Sequence, residues 1–262
     1  MSQDQAIDKI KNVIDYCKNL TLRLALLSED LLSVRGVASG FIISREDDYY
    51  LISAGHALEK TGWIIETDLT VVDECITACI PVNWPWTLKS LVVGEREQKR
   101  IDFAWARINL NSLREAVQND DRLKGKHFDL PIYVGPLGDS PRAGEPYCYA
   151  SLNRAALVES LGTTLLAREL SCEYLMEYKE TRSSDGLYVF SVPEHKGHEY
   201  YEGASGSPIV APSGKVVSVL LGGCKNKNEL YGFPLARFID LIAVSKHVEQ
   251  IAAPDAQNTA PR

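Results

Sequence analysis

The apolar positions of this chain change period several times, and each change marks an element. Ile7, Ile10, Val13, Ile14 and Cys17 recur at spacings of three and four. That spacing keeps one helical face apolar and predicts an amphipathic helix over residues 4–18. Leu20, Leu22, Leu24 and Leu26 then alternate with other residues, the period-two pattern of a half-buried strand. Two apolar runs, GFIIS at 40–44 and YYLIS at 49–53, flank the charged segment REDD at 45–48 and predict a β-hairpin. Further strands are predicted at 62–66, 69–72, 76–81, 90–94, 102–108, 146–151, 163–169, 171–177, 186–192, 207–211 and 215–221. A short helix is expected at 111–120, a Pro- and Gly-rich connector at 123–145, and a C-terminal helix at 235–251. The polar tail at 253–262, with Pro254 and Pro261, reads as disordered.

Many short strands broken by turns and framed by a helix at each end predict a mainly β fold. No repeat recurs at a fixed period of about 20–50 residues, which excludes solenoids and propellers.

The composition narrows this little. At 262 residues, 45% hydrophobic and 24% charged, the chain is long enough to bury a large core without disulfide staples. The net charge of −7 comes with no basic stripe, so neither nucleic acid nor an anionic membrane surface is an expected partner. Met1 to Leu20 lacks the apolar stretch of a secretion signal, and no run approaches the roughly 18 apolar residues that cross a membrane. The expectation is a soluble, cytoplasmic protein. Its six cysteines then read as free thiols of a reducing compartment. Cys75 and Cys79 have no matching second pair with metal-ligand spacing, so no metal or cofactor is expected.

Three motifs carry chemistry. In LISAGHAL, residues 51–58, an apolar strand ends in small residues and presents His56 at a turn, where an imidazole can act as a general base. In IDFAWARI, residues 101–108, Asp102 opens a strand whose Phe103, Trp105 and Arg107 face one way and Ala104, Ala106 and Ile108 the other. A carboxylate at the rim of a core strand needs a partner, and an imidazolium is one. Asp68 is a second candidate for that role. In EGASGSPI, residues 202–209, a tight glycine turn can expose the Ser205 hydroxyl and aim the Gly203 and Ser205 amides at one point, as an oxyanion requires.

With His56, Asp102 and Ser205 in that order along the chain, the sequence resembles the trypsin/chymotrypsin serine peptidase superfamily, especially its bacterial, disulfide-free branch that includes HtrA-like proteases. The resemblance rests on SAGH at 53–56, DFAW at 102–105, GASGSP at 203–208 and SGKVVSVLLGG at 213–223. It implies two six-stranded antiparallel β-barrels with the site in the cleft between them. The first barrel would span 20–130 and carry His56 and Asp102. The second, 131–252, would carry Ser205 and the C-terminal helix, with residues 1–19 as an N-terminal helix. It further implies Ser205 as nucleophile, His56 as general base and then acid, and Asp102 as the group that orients the imidazole. Gly203 and Ser205 would supply the oxyanion-hole amides, while Leu221, Gly222 and Gly223 would pair with the substrate backbone. Glu199, six residues before Ser205, falls where trypsin-like enzymes place the base of the P1 side-chain pocket.

Departures from the family pattern matter as well. Ala57 stands where secreted members have a disulfide cysteine. Ala204 stands where zymogen-activated members carry an aspartate, so activation through a new N-terminus is not expected. Ser207 replaces a commoner glycine. His195 and His198 lie in a polar loop that reads as solvated rather than metal-binding. The implied activity is a serine endopeptidase acting on protein or peptide substrates. A regulatory protein partner would be needed if the enzyme were latent, and the alternative is a catalytically silent protease fold used as a binding module. An α/β-hydrolase is excluded because Ser207 breaks its G-x-S-x-G signature, and because that class places the acid and the histidine after the serine.

Overall fold

The computed structural model describes residues 3–29, 34–71, 76–82, 85–89, 100–119, 121, 130–160 and 163–252. Helix α1 (Gln3–Leu20) leads into β1 (Leu22–Leu27), whose Leu22, Leu24 and Leu26 are all buried. β2 (Val34–Arg45) and β3 (Asp48–Ser53) form the hairpin predicted from the charged break between them. Glu46 and Asp47 turn the corner at positive φ of 51° and 67°, the two-residue geometry that matches the twist of a hairpin. After the one-turn helix α2 (Gly55–Leu58) come β4 (Trp63–Val71), β5 (Ile76–Pro81), β6 (Trp86–Lys89) and β7 (Arg100–Ile108). The two strands expected at 62–66 and 69–72 are thus one, while the strand expected at 90–94 lies outside the described residues. Helix α3 (Leu110–Asn119) and the short β8 (Ile132–Tyr133) complete the first half.

These strands form an eight-stranded sheet in the order β5-β4-β1-β2-β3-β7-β6, with β8 added parallel to β2. Among the described residues this sheet is a half-barrel rather than a closed one. The second half is a closed barrel, built from β9 (Pro146–Ser160), β10 (Thr163–Thr181), β11 (Tyr188–Ser191), β12 (Pro208–Val210), β13 (Val216–Cys224) and β14 (Glu229–Pro234). Sequence periodicity missed β14, because ELYGFP carries a glycine and ends in proline. Helix α4 (Phe238–Ala252) closes the chain, and the tail expected to be disordered, 253–262, lies outside the described residues.

Both terminal helices are tied to the strands. Cys17 of α1 is fully buried against β9, and Thr21 Oγ1 lies 2.9 Å from the Ala150 carbonyl. Lys246 of α4 reaches Glu46 and Asp48 of the β2–β3 turn, each at 3.1 Å. Burial raises the pKa of Asp48, but Lys246 and Arg107 outweigh it and hold the carboxyl below its usual range. The two halves meet through an aromatic seam. Phe103 of β7 stacks on Phe233 of β14 at 4.1 Å, and Phe238 packs edge-on to Phe103 and Trp105. The alternation read from IDFAWARI holds: Phe103 and Trp105 enter the seam, while Ala104, Ala106 and Ile108 fill the core of the first sheet. The five described cysteines are free. Among the described residues no helix is long and apolar enough to cross a membrane.

Phe103→Ala is expected to cost about 3–5 kcal/mol, the usual penalty for emptying a buried aromatic site. Val244→Ala, at an exposed position of α4, should change stability by less than about 0.5 kcal/mol. Urea midpoints of the two variants check the contrast.

Candidate active site

The register of β3 on β7 builds the first part of the site. Ser53 pairs with Ala104, so the antiparallel ladder carries the residues after Ser53 toward Asp102. Gly55 permits the close approach, since a Cβ there would lie 2.9 Å from the Phe103 amide nitrogen. The Asp102 carboxylate then clasps His56 twice. Oδ1 accepts the His56 backbone N–H at 2.6 Å, and Oδ2 lies 2.7 Å from ring Nδ1. An ionised carboxylate only accepts, so Nδ1 carries the proton and Nε2 is the basic nitrogen of the neutral ring. Both side chains remain substantially exposed, 55% for His56 and 37% for Asp102. Asp68, the second candidate acid, falls in β4, and its side chain lies outside the described residues.

The Ser205 segment is a chain of tight turns. Glu202 at φ −58°, ψ 130° and Gly203 at φ 74° form the centre of a type II turn closed by Ala204 N–H to the Tyr201 carbonyl, 3.0 Å. That turn needs φ > 0 at its third residue, which glycine supplies without strain. Ser207 N–H then bonds the Ala204 carbonyl at 3.0 Å, and Gly206 N–H bonds the Leu220 carbonyl at 2.7 Å. The Ser205 N–H has no acceptor among the described residues. The Ser205 hydroxyl donates to the Leu221 carbonyl at 3.2 Å, its one partner among the described residues. A hydroxyl has one proton to donate, so donation to an imidazole would replace that bond.

The remaining predicted positions are mixed. Leu221, Gly222 and Gly223 lie on β13, and the Leu221 carbonyl is the acceptor of the Ser205 hydroxyl. A Cβ on Gly222 would meet nothing within 4 Å, whereas one on Gly223 would strike the Glu229 carbonyl at 2.6 Å. Glu199 opens a 3-10 turn (Glu199–Tyr201) and faces solvent rather than an enclosed floor. His198 is exposed, but His195 corrects the reading of a solvated loop. It is only 8% exposed, its ring packs 4.5 Å from Tyr201, and its Nδ1 accepts the Gly197 N–H. Among the described residues no group of three or more ligating side chains could hold a metal.

Two clusters escaped sequence reasoning. Glu173 on β10 is a buried carboxylate that accepts the Tyr201 hydroxyl at 2.9 Å and pairs with Lys196 at 3.2 Å. It anchors the residue that opens the turn before Ser205. Burial and Glu173 both push the Tyr201 phenol up, so it remains a donor. The second cluster is the buried serines Ser39, Ser53 and Ser151, joined to Gly203 by hydrogen bonds. Nothing in their spacing marks either group, because their partners lie far away along the chain.

The solved structures that this architecture matches include a serine endoprotease from Yersinia pestis and neuropsin, a serine protease expressed in the limbic system of mouse brain. The first superposes with a TM-score of 0.51 at 12% identity over 89% of this chain and 65% of that one. The second gives 0.53 at 12% identity, over 88% and 96%. This is a trypsin/chymotrypsin-like serine peptidase fold. The chain spans about two thirds of the length of the Yersinia protein. No protein-family model matches it, and no curated protein matches it in sequence. Within the trypsin-like fold, His56 and Asp102 come from the first sheet and Ser205 from the second barrel.

Burial holds the His195 imidazole below the ordinary histidine pKa, although its own carbonyl and Glu173 pull the other way. The unfolded chain protonates this ring near pH ~6.5, and the folded chain only at lower pH. Between those values the unfolded state binds more protons, so stability falls as pH drops through that window. Urea midpoints at pH 7, 6 and 5 should therefore fall less steeply for His195→Gln than for the parent protein.

Proposed function

We propose that this chain is a serine endopeptidase cleaving protein or peptide substrates, with Ser205 as nucleophile, His56 as general base and then acid, and Asp102 as the group that fixes the imidazole. The observation that carries the reading is the double clasp of Asp102 on His56, which holds Nδ1 protonated and leaves Nε2 to take a proton. The protease fold of the structural neighbours supports it. In the reaction Ser205 Oγ swings from the Leu221 carbonyl, gives its proton to Nε2 and attacks the scissile carbonyl carbon. The oxyanion is received by the N–H groups of Gly203 and Ser205. Protonated His56 then donates to the leaving amine, and water, activated by the same imidazole, releases the acyl group. Leu221 to Gly223 pair with the substrate backbone as an added strand.

A second reading rests on one contact. The Ser205 hydroxyl is engaged by a carbonyl oxygen, as it would be in a latent or silent protease fold that binds peptides without cutting them. Hydrolysis of a fluorescently labelled protein mixture separates the readings. Ser205→Ala is expected to abolish cleavage with unchanged circular dichroism, and full activity in that variant would sink the assignment. Asp102→Asn should lower kcat by about 10⁴-fold, through the wrong tautomer of His56. Gly203→Ala should lower it by about 10²–10³-fold, because a Cβ disfavours the positive φ that turns the amide toward the oxyanion.

A further inference from the structure

The turn that carries Ser205 has no charge at its centre to hold it. Ala204 is buried and apolar, so something else must keep the turn in the shape described above. The contacts point to Ser39, on β2 of the opposite sheet and fully buried. Its backbone N–H donates to the Ser205 carbonyl at 3.0 Å. Its hydroxyl lies 2.8 Å from the Gly203 carbonyl and 2.8 Å from Ser151 Oγ. A carbonyl only accepts, so Ser39 donates to Gly203, and Ser151 must donate to Ser39. The Ser39 carbonyl is fixed in turn by the Ser53 hydroxyl at 2.7 Å, three residues before His56.

We propose that Ser39 is a positioning residue: its hydroxyl and amide hold the Gly203 and Ser205 carbonyls so that the N–H groups of the turn face the developing oxyanion without help from a partner. This rests on the proposed function and deepens it. The Gly203–Ala204 peptide is pinned at both ends, its carbonyl by Ser39 and its N–H by the Tyr201 carbonyl. The two held carbonyls flank the Ala204–Ser205 peptide, so fixing both restricts the direction of the Ser205 N–H. Because Ser53 belongs to the strand that presents His56, the same hydrogen-bond chain sets the general base and the oxyanion donors in one frame. Losing the hydroxyl frees the turn without touching the substrate, so the loss should appear in the transition state and not in ground-state binding.

The test uses the purified full chain and a fluorophosphonate probe, whose phosphoryl oxygen needs the same amides as a tetrahedral intermediate. The parent protein is expected to be labelled at Ser205 with no partner added. Ser39→Ala should react about 10- to 100-fold more slowly, the worth of one buried hydrogen bond at the transition state. Its KM for labelled casein should match that of the parent while kcat falls. Ser151→Ala, which leaves the bond from Ser39 to Gly203 in place, should react within about threefold of the parent. A Ser39→Ala protein that reacts as fast as the parent overturns the proposal, as does a loss carried by KM alone. Should Ser39→Ala not fold, Ser39→Cys keeps the shape with a weaker donor, and parental reactivity there overturns it equally. A parent protein that the probe never labels instead refutes Ser205 as a nucleophile, which is a separate failure.

Discussion

A Cβ at position 206 would sit 1.9 Å from the Ser39 carbonyl oxygen and 2.5 Å from Ser53 Oγ. That contact is closer than any side chain allows, and most of the site depends on it. Gly206 lets the turn carrying Ser205 press directly on β2 and β3, the strands of Ser39 and Ser53. With φ at +96°, it also adopts a backbone conformation that other residues reach only with strain. The backbone bond from Ser39 N–H to the Ser205 carbonyl joins the two halves here, and Gly206 N–H bonds the Leu220 carbonyl within the second barrel.

Beneath this contact the aromatic seam supplies the rigidity. Asp102 and Phe103 are neighbours on one strand, so stacking Phe103 on Phe233 fixes the position of the carboxylate that grips His56. The proposed general base is therefore placed by core packing, and the proposed nucleophile by backbone hydrogen bonds and buried hydroxyls. These are different means, and the Ser53–Ser39 link joins them. A polar connection of this kind inside a core is acceptable only when each member is satisfied. The directional chain from Ser151 through Ser39 to Gly203 meets that demand.

Much of this was legible in the sequence, for physical reasons. Local periodicity revealed α1, the β2–β3 hairpin and the alternation of Phe103 and Trp105, because those patterns reflect which face each element buries. Short motifs singled out His56, Asp102 and Ser205, since a base, its orienting acid and a serine in a glycine turn constrain neighbouring residues. What stayed hidden depended on distant partners. Ser39 looks like any small strand residue until Gly203 is placed 2.8 Å from its hydroxyl. Glu173 looks like a surface charge until Tyr201 and Lys196 close over it. Glu199 was placed by counting back from Ser205, and a count cannot show that the 3-10 turn faces its side chain to solvent.

The central claim is that Ser205 is activated by the His56–Asp102 pair, and the most direct test is chemical. The folded chain is treated with a fluorophosphonate and the modified residue located by peptide mass spectrometry. One label per chain is expected, on Ser205, lost on His56→Ala while circular dichroism stays unchanged. Labelling that persists undiminished without His56, or a folded protein that takes no label with or without cell extract, would contradict it.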